Sequence, residues 1–191
     1  MSDASASPAS PASPASPASP ASPASPPAAH WRPMQGQDLP AVLQIAAEVH
    51  PDYPEGEAVF AERLALFGGG CLCLVTRDGA LAGYVLSHPW HADAPPALDT
   101  LLQRLPEPAP IYYLHDMALL PVARGLGAAG RAMPLLAAQA VAAGCREMAL
   151  VAVNGSAGFW ARQGFEVREV PALAAKLASY DAAARFMVRP L

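Results

Sequence analysis

At 191 residues and a formal net charge of −4, the chain has room for one domain of ordinary size and carries no basic stripe of the kind that binds nucleic acid. Alanine inflates its 53% hydrophobic content, and no run of about 18 uncharged apolar residues is present to span a membrane. The N-terminus has neither a basic region nor an apolar core, so no signal peptide is expected; Cys71, Cys73 and Cys145 form no CxxC pair and read as reduced, buried thiols of a cytoplasmic protein.

Residues 1–29 form a separate unit. Ser-Pro-Ala repeats six times from Ser7 to Ala24. Proline at every third position removes backbone donors, and the small side chains offer nothing to bury, so a disordered, semi-extended tail is expected. The folded domain, 30–191, opens with an edge strand at Trp31–Met34, where Pro33 is tolerated. Asp38 then reads as the N-cap of a helix over about 39–49, with Leu39, Val42, Leu43, Ile45, Ala46 and Val49 at helical spacing. His50-Pro51-Asp52-Tyr53-Pro54 ends it. A second helix, about 56–67, stops at Gly68-Gly69-Gly70. A hairpin follows: Cys71–Thr76, the Asp78-Gly79 turn, and Leu81–Ser87, closed by Pro89. The Pro-rich loop of about 90–109, with room for a helical turn, is long enough to line a site. Its Trp90, His91 and Asp93 either face a substrate or are solvated. A strand at about 111–120, a helix at about 126–143, a buried strand at Glu147–Val153, a short helix at 155–163, a strand to about 168 and a last strand at Arg185–Arg189 complete the chain. The last strand is a candidate for pairing across a dimer, so the chain is expected to be a monomer or a homodimer.

The stretch Tyr112–Arg131, YYLHDMALLPVARGLGAAGR, reads as strand, turn and helix. Glycines let a backbone approach an anion, and a helix N-terminus offers free N–H groups and partial positive charge. Arg124 adds a permanent cation. The spacing is not that of a P-loop. Gly125, Gly127 and Gly130 are spaced GxGxxG, but no acidic residue on a second strand follows about 20 residues later, as a dinucleotide site requires.

Arg124-Gly125-Leu126-Gly127-Ala128-Ala129 instead resembles the R/Q-x-x-G-x-G/A signature of the GCN5-related N-acetyltransferases (GNAT). Asn154, Ala157, Phe159-Trp160 and Gly164-Phe165 resemble a second block of that family, and Arg32-Pro33 with Asp38-Leu39 resembles its opening. The resemblance covers about residues 31–190. It implies an α/β (α+β) fold: a mixed, mostly antiparallel sheet of six to seven strands with helices on both faces. It also implies acetyl-CoA as co-substrate, with no metal, and transfer of its acetyl group to a primary amine by direct attack in a ternary complex. In the family's manner, Arg124, Gly125, Leu126, Gly127, Ala128 and Ala129 would hold the pyrophosphate. Main-chain groups of Met117, Ala118 and Leu119 would meet the pantetheine arm and supply the oxyanion donor, and Asn154 would bond the pantetheine amides beside Trp160. Pro134 departs from the family pattern; it removes the N–H that would bond to Gly130, and a kink is expected there.

The acceptor amine needs a base, direct or through water. On a regular strand Tyr113, His115, Met117 and Leu119 share one face, and Leu114 and Asp116 the other, unless a bulge intervenes. Only one of His115 and Asp116 then readily reaches the substrate. His115 is the first choice because histidine titrates near neutrality; Asp116 orients another group, or is the base if the strand is bulged. Where the family places a tyrosine acid this chain has Trp160, whose indole N–H is no usable acid; either Tyr113, Ser156 or bulk water protonates the thiolate, or the thiolate leaves without an acid. Within the family, His115, with Tyr113 at the place of a first histidine, most resembles the arylalkylamine (serotonin-type) enzymes, as does the Leu86–Trp90 segment. That resemblance favours a small-molecule amine. The alternatives are a protein or peptide N-terminal acetyltransferase and a non-catalytic acyl-CoA sensor.

Overall fold

The computed structural model describes residue 1 and residues 29–191. Apart from those two ends, the expected tail lies outside the described residues. The elements are β1 (Ala29–Pro33), α1 (Leu39–Val49), α2 (Glu57–Phe67), β2 (Leu72–Thr76), β3 (Leu81–Trp90), β4 (Ile111–Leu119), α3 (Ala128–Ala142), β5 (Glu147–Ala152), α4 (Ala157–Ala161), β6 (Glu166–Val167), α5 (Ala174–Tyr180) and β7 (Arg185–Pro190). The strands form one seven-stranded sheet in the order β1-β2-β3-β4-β5-β7-β6. All pairings are antiparallel except β4 with β5. Two clusters sandwich the sheet. On one face Tyr112, Leu114, Met148 and Leu150 pack under α3 residues Ala132, Met133 and Leu136. On the other, Tyr84, Leu86 and Ala118 pack under Val42 and Ile45 of α1 and Val59 and Phe60 of α2. Cys71 and Cys73 are buried in this second layer, where burial raises both thiols to about 12 and keeps them protonated.

Several elements differ from the sequence expectation. β3 does not close at Pro89 but continues to Trp90, paired with Tyr112 and Ile111 of β4. β2 pairs with β3 only as far as Val85, so the end of β3 has no ladder on that side and the missing proline N–H costs nothing. The 91–110 loop holds no helix. Asp38 makes no side-chain cap on α1; its carboxylate accepts both Arg32 guanidinium nitrogens at 2.7 and 2.8 Å and the Gln35 N–H at 2.8 Å. Arg32 is the stronger partner, and that bidentate pair outweighs burial in holding Asp38 below the ordinary carboxylate range. α3 runs unbroken through Pro134. α5 has no counterpart in the sequence expectation, because its run of small residues carries no periodic apolar stripe and buries none of its side chains. β7 lies inside the sheet between β5 and β6, so its edges are paired within the chain rather than across a dimer.

Candidate active site

The turn before α3 is built for an anion. A 3-10 turn at Pro121–Ala123 leads to Arg124, and Gly125 and Gly127 take φ of 75° and 67°. Those left-handed angles suit glycine and cost a side-chain-bearing residue about 1–2 kcal/mol. Gly127 caps α3 with no side-chain bond, and the first helical bond is Arg131 N–H to the Gly127 carbonyl at 3.1 Å. The N–H groups of Ala128, Ala129 and Gly130 are therefore left over at the positive end of a 15-residue helix. Two guanidinium groups bracket the turn. Arg124 Nε donates to the Leu119 carbonyl at 3.1 Å, and Arg131 Nη1 to the Leu126 carbonyl at 2.5 Å. Trp31 Nε1 donates to the Ala128 carbonyl at 2.8 Å and pins the first turn of α3 to the sheet edge. This donor set fits a diphosphate.

Next to the turn the sheet opens. β4 and β5 pair only over Ile111–Tyr113 and Glu147–Ala149, so Leu114–Leu119 runs on without a strand on that side. The β3–β4 register also shifts: Leu86 faces Asp116 and Ser87 faces Leu114, which leaves His115 as the extra residue of a bulge. The bulge corrects the alternation expected of a regular strand. Leu114 and Met117 pack with α3, whereas His115, Asp116 and Ala118 turn toward the α1–α2 side. Both candidate bases thus face one space.

Each meets partners from a distant segment. His115 Nε2 lies 2.8 Å from Glu55 Oε2, with the two side chains 5% and 4% exposed. Glu55 is held in turn by the Asp99 N–H at 2.9 Å, while Asp99 Oδ1 accepts the Gly56 N–H at 2.7 Å. Farther along the same loop Glu62 accepts the N–H groups of Leu102 and Gln103, and buried Arg63 donates to the Thr100 carbonyl. The long loop is therefore laced to α2. Asp116 Oδ1 lies 3.1 Å from His50 Nε2, and its Oδ2 accepts the Tyr84 hydroxyl. Burial disfavours charge on both members of the His50–Asp116 pair. Their mutual hydrogen bond and charge outweigh it, raising His50 and lowering Asp116, with the Tyr84 hydroxyl adding to the latter. Asp116 is thus a carboxylate held ionised, and a weak base. Burial pushes the Tyr113 hydroxyl far above its ordinary value, so it gives up its proton reluctantly.

His50, Glu55, Tyr113, His115 and Asp116 line one cleft of about 550 Å³. Of the residues expected from sequence, Tyr113, His115, Asp116, Met117, Leu119, Arg124, Ala129, Asn154, Ser156 and Trp160 line it. Gly125, Leu126, Gly127 and Ala128 form the turn between two of its lining residues, Arg124 and Ala129, and the Ala118 side chain is buried under α1 and α2. His91 and Asp93 are exposed and line no part of it; Trp90 Nε1 donates to the Ala94 carbonyl. Pro96 and Leu98 are the loop's contribution. His50, Tyr53, Glu55 and Tyr180 were missed. The run His50–Glu55 carries a signal, three titratable groups and a tyrosine beside prolines, but the prolines of His50–Pro54 signal only a helix stop. Tyr53 closes one end: its hydroxyl lies 3.1 Å from Asp181 Oδ2 and 3.3 Å from Asn154 Oδ1, and its ring meets Tyr180 edge-on at 6.3 Å. No group of three or more His, Cys, Asp or Glu among the described residues is placed to hold a metal, and no helix among them is long and apolar enough to cross a membrane.

Residues 37–165 match the family model described as Acetyltransferase (GNAT) family. No curated protein sequence matches the chain. Solved structures do. GphF, a GNAT-like decarboxylase in complex with isobutyryl-CoA, superposes with a TM-score of 0.69 at 16% identity over 84% of this chain and 98% of that one. Arabidopsis thaliana Naa50 in complex with the bisubstrate analogue CoA-Ac-MVNAL gives 0.62 at 14% over 86% and 99%. N-acetylglutamate synthase from Neisseria gonorrhoeae, complexed with coenzyme A and N-acetyl-glutamate, gives 0.57 at 17% over 85% of this chain and 35% of that one. At such identities the likeness is one of fold.

Proposed function

The chain belongs to the acetyltransferase (GNAT) family, and on that premise we propose that it moves the acetyl group of acetyl-CoA to the primary amine of a small molecule, with His115 as the base. The carrying observation is the Glu55–His115 pair, 2.8 Å apart and nearly water-free, in the same cleft as the anion-binding turn. Bound acetyl-CoA would supply an acyl group activated as a thioester. Arg124, the free N–H groups of the α3 first turn and the main chain of Met117–Leu119 on the side that β5 leaves open would hold and orient it, and an amide of that stretch would meet the developing oxyanion. Glu55 accepts from His115 Nε2–H, which fixes the tautomer and leaves Nδ1 to take the proton of the incoming amine through water. Asp116, held ionised, attracts the ammonium form without competing for its proton.

The closure by Tyr53, Asn154, Asp181 and Tyr180 favours a small acceptor over a peptide, which needs an open groove. A pure acyl-CoA sensor would have no use for an oriented imidazole. The test is release of free coenzyme A over a panel of arylalkylamines, amino acids and peptides. Turnover on a small amine that is lost in His115→Ala is expected. Turnover confined to peptides refutes the acceptor class, and tight acetyl-CoA binding without turnover on any acceptor refutes the enzyme reading.

A further inference from the structure

His88 has no part in the chemistry so far. It sits in β3 opposite Tyr113, just past the bulge that turns His115 into the cleft, and it is fully buried. Its Nδ1 lies 3.0 Å from the Pro89 carbonyl oxygen. A carbonyl only accepts, so Nδ1 carries the hydrogen and Nε2 is a bare lone pair. That Nε2 is buried and has no partner among the described residues. A buried acceptor left unmade costs about 1–3 kcal/mol, so its presence calls for a reason. Burial, then the neighbouring His115 and the positive charge of Arg63, push His88 down to about 3 against the pull of Pro89, so the ring stays neutral and is no proton carrier itself.

The ring beside it is His115, with centroids 6.1 Å apart and planes tilted by 41°. Even with two ring nitrogens facing each other, they are about 4 Å apart, beyond a direct hydrogen bond and within the span of one bridging water. His115 Nε2 is engaged by Glu55, so Nδ1 is the nitrogen left to meet such a water. Among the described residues Arg63 Nε is likewise a buried side-chain atom without a partner, and the Arg63 charge acts on His88. A water that gives both protons to two imidazole lone pairs can still accept an N–H.

We propose that His88 is a positioning residue for His115, acting through one ordered water held between His88 Nε2 and His115 Nδ1. The proposal rests on His115 being the base. While Nδ1 is a lone pair, the water donates to both rings. A proton released in the cleft enters Nδ1 by way of this water, which then accepts from Nδ1–H and goes on donating to His88. His88 thereby stabilises the imidazolium without becoming charged. The other titratable groups around this ring are Glu55 from the α1–α2 link, Arg63 from α2, Tyr113 and Asp116 from β4 and Tyr180 from α5, with His50 of the α1 terminus acting through Asp116.

The test is kcat against pH, with Tm, for the wild type, His115→Ala, His88→Phe and His88→Gln, using acetyl-CoA and the best amine. His88→Phe replaces the Nε2 acceptor with carbon. It is expected to lower kcat about tenfold and to move the acid limb to lower pH, with Tm reporting that the core still packs. His88→Gln keeps an acceptor and is expected to retain the wild-type limb. An unmoved limb in His88→Phe, or an equal displacement in His88→Gln, overturns the inference while leaving the base assignment intact. Activity that survives His115→Ala overturns both. Should His88→Phe fail to fold, His88→Leu decides on the same limb.

Discussion

The two ends of the cleft are built in different ways. The end proposed for acetyl-CoA, the donor end, is main chain: two left-handed glycines, three unpaired N–H groups and a strand without a neighbour on one side, all within Met117–Gly130. The end proposed for the amine, the acceptor end, is side chain: His115 and Asp116 from β4, His50 and Glu55 from the α1–α2 link, Tyr84 from β3, with Tyr53 reaching to Asn154 and Asp181. A backbone site needs one contiguous stretch, so it tolerates side-chain change but not a change of φ. A side-chain site gathers groups up to 128 positions apart in sequence and depends on their charges.

The largest test of that contrast is His115→Ala, which should lower kcat by about 10²–10⁴-fold with little change in the KM for acetyl-CoA, read in a coenzyme A release assay. A matching loss of acetyl-CoA affinity would mean that the two ends are not separable. Gly127→Val is the converse. A β-branched residue forced to a φ of 67° should raise the KM for acetyl-CoA about tenfold or more and leave the acid limb of kcat in place.

Asp116→Asn tests the charge network through stability. His50 is raised above its ordinary 6.5, so its contribution is complete below 6.5 and fades as pH rises through the raised value. Asp116 is lowered below its ordinary 3.8, so its contribution is complete above 3.8 and fades as pH falls through the lowered value. The pair therefore stabilises most between those two ordinary values. The variant should lose most Tm near the middle of that window, by the equivalent of roughly 1 kcal/mol, and less at alkaline pH. A Tm difference flat across pH would mean that no ion pair forms. The smallest effect is expected from Tyr53→Phe, which removes the hydroxyl from Asn154 and Asp181. The KM for the amine should rise about two- to threefold, with kcat nearly unchanged. An equal rise in the KM for acetyl-CoA would place Tyr53 at the donor end instead.

The sequence by itself determined the order of strands and helices except α5, the hairpin at Asp78-Gly79, and the anion-binding turn from Arg124 to Ala129. These rest on local rules: apolar spacing, the φ freedom of glycine, and a helix terminus that must leave N–H groups over. It also placed His115 and Asp116 beside the site, because both lie on the strand that runs into the turn. Tertiary structure decided what those two residues meet. A single-residue slip of β3 against β4 brings them onto one face, and no local pattern in YYLHDMALL announces it. Their partners, Glu55 for one and His50 for the other, arrive from the α1–α2 link 60 or more positions earlier in the chain. Hydrophobic periodicity fixes which face of an element is buried; which distant polar groups meet across that face is settled only when the layers pack.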